Sequence, residues 1–347
     1  MPVSFDMSAL SAPVDPAVAH REFQERIDRE GRRTGARVGM AWSVFQTVVL
    51  VAGGGILAAL AVVAVQLAFG GEGLNAATVI IAALVVAPLA VARVRSYRTG
   101  PDAVEADVYR LTRFAAANGL SHVLAESDPD LPAALFQVGG ARVASDVMVA
   151  ASPRRFEVAN YSYETWTART RMPRSATFAV LESGIPLPAM TIRAASPSDQ
   201  AGAWAPQPQQ TPLPFEGGFG STFRVFCAVE DADRVRAVLT EPVQTALIAL
   251  VRHGDVEIAG GSVFFLARRQ LRLADVAFWE WVEDLVAMVD AVDDGGVRVG
   301  ASADPARRVR REALFDGRRS SRPFVLGCLL PLVVGLAAAA LVTAFSH

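Results

Sequence analysis

Three long apolar runs, at residues 40–69, 76–92 and 323–345, constrain the fold of this chain more than any other feature of its sequence. A helix needs about 20 apolar residues to cross the hydrocarbon core of a bilayer. Arginines crowd one side only of each run: before the first, after the second and before the third. Because basic residues favour the cytoplasmic side, this pattern predicts three transmembrane helices with the C-terminus outside.

The topology also sets the predicted domain boundaries. We predict a cytoplasmic basic arm at 1–39, transmembrane helices at 40–69 and 76–92 joined by an outside loop at 70–75, a cytoplasmic domain at 93–303, a basic juxtamembrane segment at 304–322 and a third transmembrane helix at 323–345. The predicted localisation is a bacterial cytoplasmic membrane, as a multi-pass protein whose N-terminus and main domain are cytoplasmic.

The region 93–303 predicts an α+β domain, an antiparallel sheet with helices. Short segments rich in Val, Phe, Tyr and Thr, such as FEVANYSYETWT and SATFAVLES, are typical of successive strands joined by short links. Helical spacing of apolar residues predicts helices from about Pro101, over DADRVRAVLTEPVQTALIAL and over LADVAFWEWVEDLVAMVDAV. The glycine pair Gly260 and Gly261 predicts the turn of a β-hairpin.

The composition excludes several classes of enzyme. The sequence contains no lysine, so all 33 basic residues are arginines, and no Walker A, Schiff-base or kinase-type lysine is present. The net charge of -2 argues against a general nucleic-acid binder, which needs a broad basic face. The two cysteines, Cys227 and Cys328, are expected to be small buried hydrophobes without a disulfide.

Candidate polar chemistry is sparse in the predicted domain. Two histidines, His122 and His253, lie in it, and neither has a second ligand at a metal-binding spacing. The Gly-rich residues 217–222 precede a predicted strand rather than a helix, so we expect a flexible strand entry and not a phosphate loop. Paired carboxylates are expected to cap helices, at Asp128/Asp130, Asp231/Asp233 and Asp293/Asp294. We therefore assign no catalytic residue, no cofactor and no metal ligand.

Two groups of residues are instead candidates for membrane contacts. A basic helix is predicted just before the third apolar run, and its arginines are candidate lipid-headgroup contacts: Arg307, Arg308, Arg310 and Arg311. Small residues in the first run are candidate helix-packing positions: Gly53, Gly54, Gly55 and Ala58.

The segments FEVANYSYETWT, TFAVLESGIPLPAMTIRA, FRVFCAVEDADRVRAVLTEPVQTALIAL and DVEIAGGSVFFLA carry a resemblance to a known family. Over residues 156–267, the chain resembles a family of uncharacterised bacterial membrane proteins that couple one or two N-terminal spans to a cytoplasmic domain of unknown function. A third span after the domain departs from that pattern. The resemblance implies an anchored cytoplasmic domain, but no activity, so no residue gains a role from it.

These observations favour a non-enzymatic protein whose cytoplasmic domain binds a protein partner or organises a membrane complex. The expected partners are the lipid bilayer and either a second protein or further copies of the chain, and not nucleic acid. Two alternatives stay open: a membrane-bound enzyme acting on a lipid or envelope precursor, and an accessory subunit of a transporter. A carboxylate within hydrogen-bond reach of His122 or His253 in a cleft would favour the enzyme.

Overall fold

A nine-stranded antiparallel sheet forms the centre of this computed structural model, which describes residues 3–34, 101–152, 154–167, 170–195, 209–295 and 305–316. The strands are β1 (Ser121–Ser127), β2 (Gly140–Ala150), β3 (Phe156–Thr167), β4 (Thr170–Glu182), β5 (Met190–Ala194), β6 (Thr211–Leu213), β7 (Phe223–Cys227), β8 (Gly254–Ala259) and β9 (Ser262–Ala267). Their order in the sheet is β1-β2-β3-β4-β9-β8-β5-β7-β6.

The helices differ widely in length. The described residues form α1 (Ser8–Ser11), α2 (Pro16–Thr34), α3 (Pro101–Asn118), α4 (Gly217–Thr222), α5 (Ala232–Val238), α6 (Glu241–Val251), α7 (Val276–Asp293) and α8 (Pro305–Asp316). Short 3-10 turns lie at Ala134–Gln137 and Val229–Asp231. The chain divides into two compact units at Ala303 and Asp304, so α8 belongs to the second unit and is described by itself.

The alternation of β3 divides its side chains between the two faces of the sheet. On one face, Phe156 lies against Phe5, whose ring also contacts Trp279 of α7. On the other face, Tyr161 packs on Phe136 of the first 3-10 turn, with ring centroids 4.9 Å apart. Both faces of this part of the sheet are therefore covered, one by helices and one by a turn.

The turn on the second face is joined to the sheet by a buried carboxylate. Glu257 of β8 is almost fully buried and accepts a hydrogen bond from the backbone N–H of Ala134 at 2.9 Å. This N–H is at the start of the 3-10 turn, where it has no partner within the turn. Glu257 therefore caps a segment that lies more than a hundred residues away in the sequence.

α7 is buried on nearly all sides rather than along one stripe. The spacing of Phe278, Trp281 and Leu285 predicted its apolar face, and these residues are buried. Glu283 and Asp284, which the sequence placed on the polar face, are buried as well. The difference arises because other segments of the chain, including the residues before α1, also pack on that side of α7.

The predicted transmembrane helices at 40–69, 76–92 and 323–345 lie outside the described residues. Among the helices that the structure does describe, none is long and apolar enough to cross a membrane. α7, with 18 residues, is the most apolar of the long ones, but it contains five carboxylates, and a charge in a bilayer is costly.

This finding contradicts the predicted fold of three transmembrane helices. It also contradicts the description of the chain as a multi-pass membrane protein and its localisation in a bacterial cytoplasmic membrane. The architecture observed in the described residues is an antiparallel sheet with helices. That prediction rested on the length and hydropathy of the three runs and on the arginines beside them.

Local differences from the sequence-based prediction have simple causes. The Gly-rich residues expected as a strand entry form α4, where the Ser221 and Thr222 hydroxyls donate to the carbonyl of Gly218. The segment expected as helix over residues 231–254, with Pro242 opening its second half, forms α5 and α6, and Pro242 lies in the first turn of α6. β1 was not predicted, because its polar and apolar residues do not alternate cleanly.

A close backbone approach makes glycine necessary before β2. Gly139 has a φ of +75°, and a Cβ there would lie 2.5 Å from the carbonyl oxygen of Glu164. Gly119 has a φ of +65° but nothing within 4 Å of the same position, so it is a matched control. We expect Gly139→Ala to lower the free energy of unfolding by about 1–3 kcal/mol more than Gly119→Ala, because it adds overpacking to the same backbone strain. Urea denaturation measures both, and equal losses would contradict the close approach.

Burial raises the pKa of Glu257, and the hydrogen bond from Ala134 opposes this only in part. The folded protein therefore holds the proton more tightly than the unfolded chain. The contribution to stability is greatest below the unfolded pKa and is lost as the pH rises through the folded pKa. We expect the free energy of unfolding of Glu257→Gln to fall less between pH 4 and pH 8 than that of the wild type, as measured by urea denaturation. Glu182→Gln, at an exposed carboxylate, is the control and should leave the profile of the wild type unchanged. An unaltered profile for Glu257→Gln would show that the carboxyl is not the titrating group.

Candidate functional site

The hairpin of β3 and β4 extends beyond the strands on either side of it. The two strands pair along their whole length, but β9 pairs with β4 only from Thr177 to Glu182. On the other side, β2 pairs with β3 no further than Glu164. Residues 164–167 and 170–175, here called the β3–β4 arm, therefore project from the sheet within the described part of the chain.

The arm carries an exposed aromatic side chain next to a cation. Trp166 is 61% exposed, and the guanidinium of Arg171 lies 4.6 Å from its ring centroid. Arg171 also lies 3.7 Å from a carboxylate oxygen of Glu164. Met172 is exposed on the other face. Large aromatic residues are seldom left exposed in a monomer, so Trp166 indicates a contact surface.

The arm carries more positive than negative charge, with Glu164 as its acidic residue. Between Trp166 and Arg174 the sequence contains three arginines and no acidic residue: Arg169, Arg171 and Arg174. Tryptophan, arginine and methionine are enriched at protein interfaces. The composition of the arm therefore matches a recognition surface for a partner with negative charge.

The strand edges of the described sheet are poorly suited to pairing with another strand. Pro173 removes a backbone donor from the free edge of β4. The edge strand β1 is covered by α2, where Glu30 accepts the N–H of Leu124 at 3.0 Å. The other edge strand, β6, has three residues and includes Pro212. Recognition by the arm would therefore depend on side chains and not on strand addition.

The base of the arm is anchored in apolar surroundings. Tyr161 and Tyr163 stack with ring centroids 5.3 Å apart, and Tyr161 packs on Phe136 and Phe178. Burial raises the pKa of Tyr161 to about 12 and also raises the pKa of Tyr163. Both phenols therefore stay neutral at physiological pH and act as a rigid support for the arm.

His122 lies in a separate polar cluster between α2, α3, β1 and β2. The Arg26 guanidinium donates to Nδ1 of His122 at 3.0 Å, and Nε2 of the same ring lies 3.5 Å from Oδ1 of Asp146. Asp146 sits in an irregular part of β2 with a φ of 52°, which turns its side chain towards the histidine. Thr112 accepts a second hydrogen bond from Arg26.

This cluster does not meet the condition set for an enzyme, because Asp146 lies near His122 but Nε2 of the ring makes no hydrogen bond to it. The side chain of His122 is only 2% exposed, and its Nδ1 is occupied by Arg26. A general base needs access to the proton that it removes. The cluster therefore joins α2 to the edge of the sheet, and it does not offer a reactive imidazole.

Glu30 completes the attachment of α2. Burial opposes its ionisation, but the N–H of Leu124 and the guanidinium of Arg26 hold the pKa of Glu30 below its usual value. Arg26 and Glu30 are 2.8 Å apart on successive turns of the helix. A groove of about 440 Å³ runs between α2 and α3, and its lining carries charges of both signs, so it favours no ligand of one charge.

The other residues singled out from the sequence do not converge. Four of the six carboxylates expected to cap helices form ion pairs: Asp128 with Arg142, Asp231 with Arg234, Asp233 with Arg236, and Asp293 with Arg154. His253 is exposed beside Arg252. Within the described ranges, no group of three His, Cys, Asp or Glu side chains could hold a metal ion.

The predicted membrane contacts stay untested. The four arginines proposed to meet lipid headgroups lie on α8, where Arg308 is exposed and 3.6 Å from Glu312, whereas Arg311 is 6% exposed. The four small residues proposed for helix packing, Gly53, Gly54, Gly55 and Ala58, lie outside the described residues.

The features that the sequence did not reveal depend on contacts between distant residues. Arg26 and His122 are 96 residues apart, and no local pattern links them. One signal was present, a charged Asp146 directly before the apolar residues 147–150 of β2. No pattern in the sequence predicted that Trp166 would be exposed, because tryptophan in a strand is usually buried.

Comparisons with known proteins leave the site to be interpreted from its own geometry. No protein-family model matches the chain, and no curated protein matches its sequence. Among solved structures, the chain is similar to the crystal structure of the mycobacterial trehalose monomycolate transport factor A, with 12% sequence identity and a TM-score of 0.36. The alignment covers 55% of this chain and 94% of that one. A likeness at this level carries no argument about function.

Removing Arg26 tests the attachment of α2. We expect Arg26→Ala to lower the free energy of unfolding by about 1–3 kcal/mol, because buried acceptors on His122 lose their donor. Arg29→Ala, at an exposed position on the same helix, should change it by less than about 0.5 kcal/mol. His122→Ala should then cost less in the Arg26→Ala background than in the wild type. Chemical denaturation measures the wild type and all four variants, and additive losses for Arg26→Ala and His122→Ala would show that the two side chains are not coupled.

Proposed function

We propose that this chain is a protein-binding module and that it recognises its partner through the side chains of the β3–β4 arm. The observation that carries the proposal is the exposed Trp166 on a hairpin that projects beyond its neighbouring strands. Interface residues that dominate binding are most often Trp, Tyr and Arg, and the arm presents two of these types in contact.

The chemistry of the arm defines the partner. An indole that enters a pocket needs apolar walls, and the arginines around it need carboxylates at the rim of that pocket. We therefore propose a partner protein with an apolar pocket bordered by Asp or Glu side chains. Two arms of the same charge would repel each other in a symmetric dimer, so the partner is a different protein.

The support of the arm favours this role. Its base is held by stacked aromatic rings and by the close approach at Gly139, so little conformational entropy would be lost on binding. The Arg171 guanidinium is already placed over Trp166, with Glu164 within 4 Å. A partner carboxylate would take the place of Glu164 without reorganising the ring.

The first step of the test is to find proteins whose binding depends on Trp166. The tagged full-length chain, its Trp166→Ala variant and a Val229→Ala control are expressed at equal levels, and the retained proteins are quantified by mass spectrometry. Val229 is 70% exposed and lies away from the arm, so its replacement removes apolar surface at a different location. We expect a protein that is retained by the wild type and the control but not by Trp166→Ala.

The second step measures affinity with that purified protein. Trp166→Ala should weaken binding by about 30-fold or more, which corresponds to about 2 kcal/mol. Arg171→Glu should weaken it as well, since it reverses the charge, and its effect should shrink at high salt. Both variants should keep the thermal stability of the wild type, because the replaced side chains are exposed. The proposal would be overturned if Trp166→Ala retained every partner, or if self-association were the only binding that this variant abolished.

A further inference from the structure

The segment of residues 3–7 lies against the domain as a bound peptide would. Phe5 is partly buried, and exposed side chains flank it at Ser4 and Asp6. The segment is not part of any strand or helix of the structure, since α1 begins only at Ser8. Its contacts therefore come from side chains of the domain and not from a sheet ladder.

An aromatic cage holds the ring of Phe5. Its walls come from three different elements: Phe114 of α3, Phe156 of β3 and Trp279 of α7, whose centroids lie 5.8, 5.9 and 5.3 Å from that of Phe5. The planes of Phe156 and Trp279 are nearly perpendicular to the Phe5 ring, which is a favourable edge-to-face geometry.

The walls of the cage are also held by contacts that do not involve Phe5. Phe114 and Trp279 contact each other with centroids 4.3 Å apart, and the indole N–H of Trp279 donates to the carbonyl of Leu273 at 2.7 Å. Phe278 also contacts Trp279, with ring centroids 5.5 Å apart. A site whose walls are fixed in this way is preorganised for an aromatic ring.

Two polar side chains hold the backbone of the segment. Asn118 accepts the N–H of Asp6 at 2.7 Å through Oδ1 and donates to the carbonyl of the same residue at 3.1 Å through Nδ2. Glu283 accepts the N–H of Phe5 at 2.7 Å. All three hydrogen bonds involve main-chain atoms, so they are available to any extended peptide with N–H groups at these two positions.

We infer that the aromatic cage, Asn118 and Glu283 form a peptide-binding site, which residues 3–7 occupy in the structure. The site takes an extended peptide that has an aromatic residue in the cage and a residue other than proline at the next position. A partner protein with such a segment would compete with the chain's own residues. The site is remote in sequence from the β3–β4 arm, and the inference does not depend on the function proposed for that arm.

The competition has a direct thermodynamic consequence. A segment tethered to the same chain acts at an effective concentration on the order of millimolar, so a free peptide competes poorly while the segment is intact. Phe5→Ala removes the aromatic ring from the tethered segment and leaves every residue of the site unchanged. This variant should therefore bind the free peptide at least tenfold more tightly than the wild type does.

The probe is a fluorescein-labelled peptide with the sequence of residues 3–8, VSFDMS, added to the full-length Phe5→Ala protein. We expect saturable binding by fluorescence polarisation and a rise in the thermal melting temperature. A peptide with the Phe5→Ala change should not bind, because its ring is missing, and one with Asp6→Pro should not bind, because its N–H is missing. The protein variant Phe5→Ala/Asn118→Ala should bind the unchanged peptide at least tenfold more weakly.

Hydrogen exchange on the wild type gives a second readout that does not require a folded variant. An excess of the peptide should speed exchange at the amides of Phe5 and Asp6, since the tethered segment is displaced. No saturable binding to folded Phe5→Ala, or equal binding of the alanine peptide, would overturn the inference. If Phe5→Ala does not fold, unchanged exchange at these two amides in the wild type would overturn it. The peptide should bind Phe5→Ala/Trp166→Ala as tightly as it binds Phe5→Ala, which separates this site from the arm.

Discussion

Most of the surfaces that the domain presents to other molecules depend on the burial of α7 against the sheet. Two tryptophans of this helix lie in the core, and each indole N–H has a carbonyl partner: Leu273 for Trp279 and Leu250 for Trp281. An indole without such a partner would lose much of the free energy gained by burying its ring. Because both are satisfied, α7 can form a wall of the aromatic cage and also offer Glu283 to the backbone of Phe5.

The C-terminal end of α7 is held by charge. Asp290 and Asp293 lie where the helix dipole disfavours negative groups, and Arg154 contacts both at 2.6 Å. Burial opposes the charge of Arg154, but hydrogen bonds to Asp293 and Asp290 raise its pKa, so the guanidinium stays ionised. Asp293 also accepts from the Ser183 hydroxyl and the Gly184 N–H just after β4. The same carboxylate therefore joins α7 to the residues that follow β4, at the end of the β3–β4 hairpin opposite the arm.

The sequence predicted the parts of the fold that depend on local patterns. The Val, Phe, Tyr and Thr content of residues 156–167 indicated a strand, the pair Gly260 and Gly261 indicated a hairpin turn, and the spacing of Phe278, Trp281 and Leu285 indicated a helix. Each of these signals is a property of neighbouring residues, and each element is present in the structure.

Features that join distant segments were not predictable in this way. The residues before the first apolar run were expected to form a basic arm, and nothing in their sequence indicated that Phe5 would lie in the aromatic cage or that Arg26 would bond to His122. The same basic residues that suggested membrane topology thus include one with a specific buried partner. Neither the cage nor the projection of Trp166 has a local signature, because each depends on where three or four elements meet.

The order of the strands has a consequence for the assembly of the sheet. β8 and β9 are the last strands in the sequence, yet they lie in the middle, between β4 and β5. Until they are made, the edge of β4 has no neighbour, and β5, β6 and β7 have no connection to β1 through β4 except along the chain. Such pairings between distant residues are entropically slow to form. The two halves of the sheet would therefore wait, as separate partly formed units, for one short hairpin to join them.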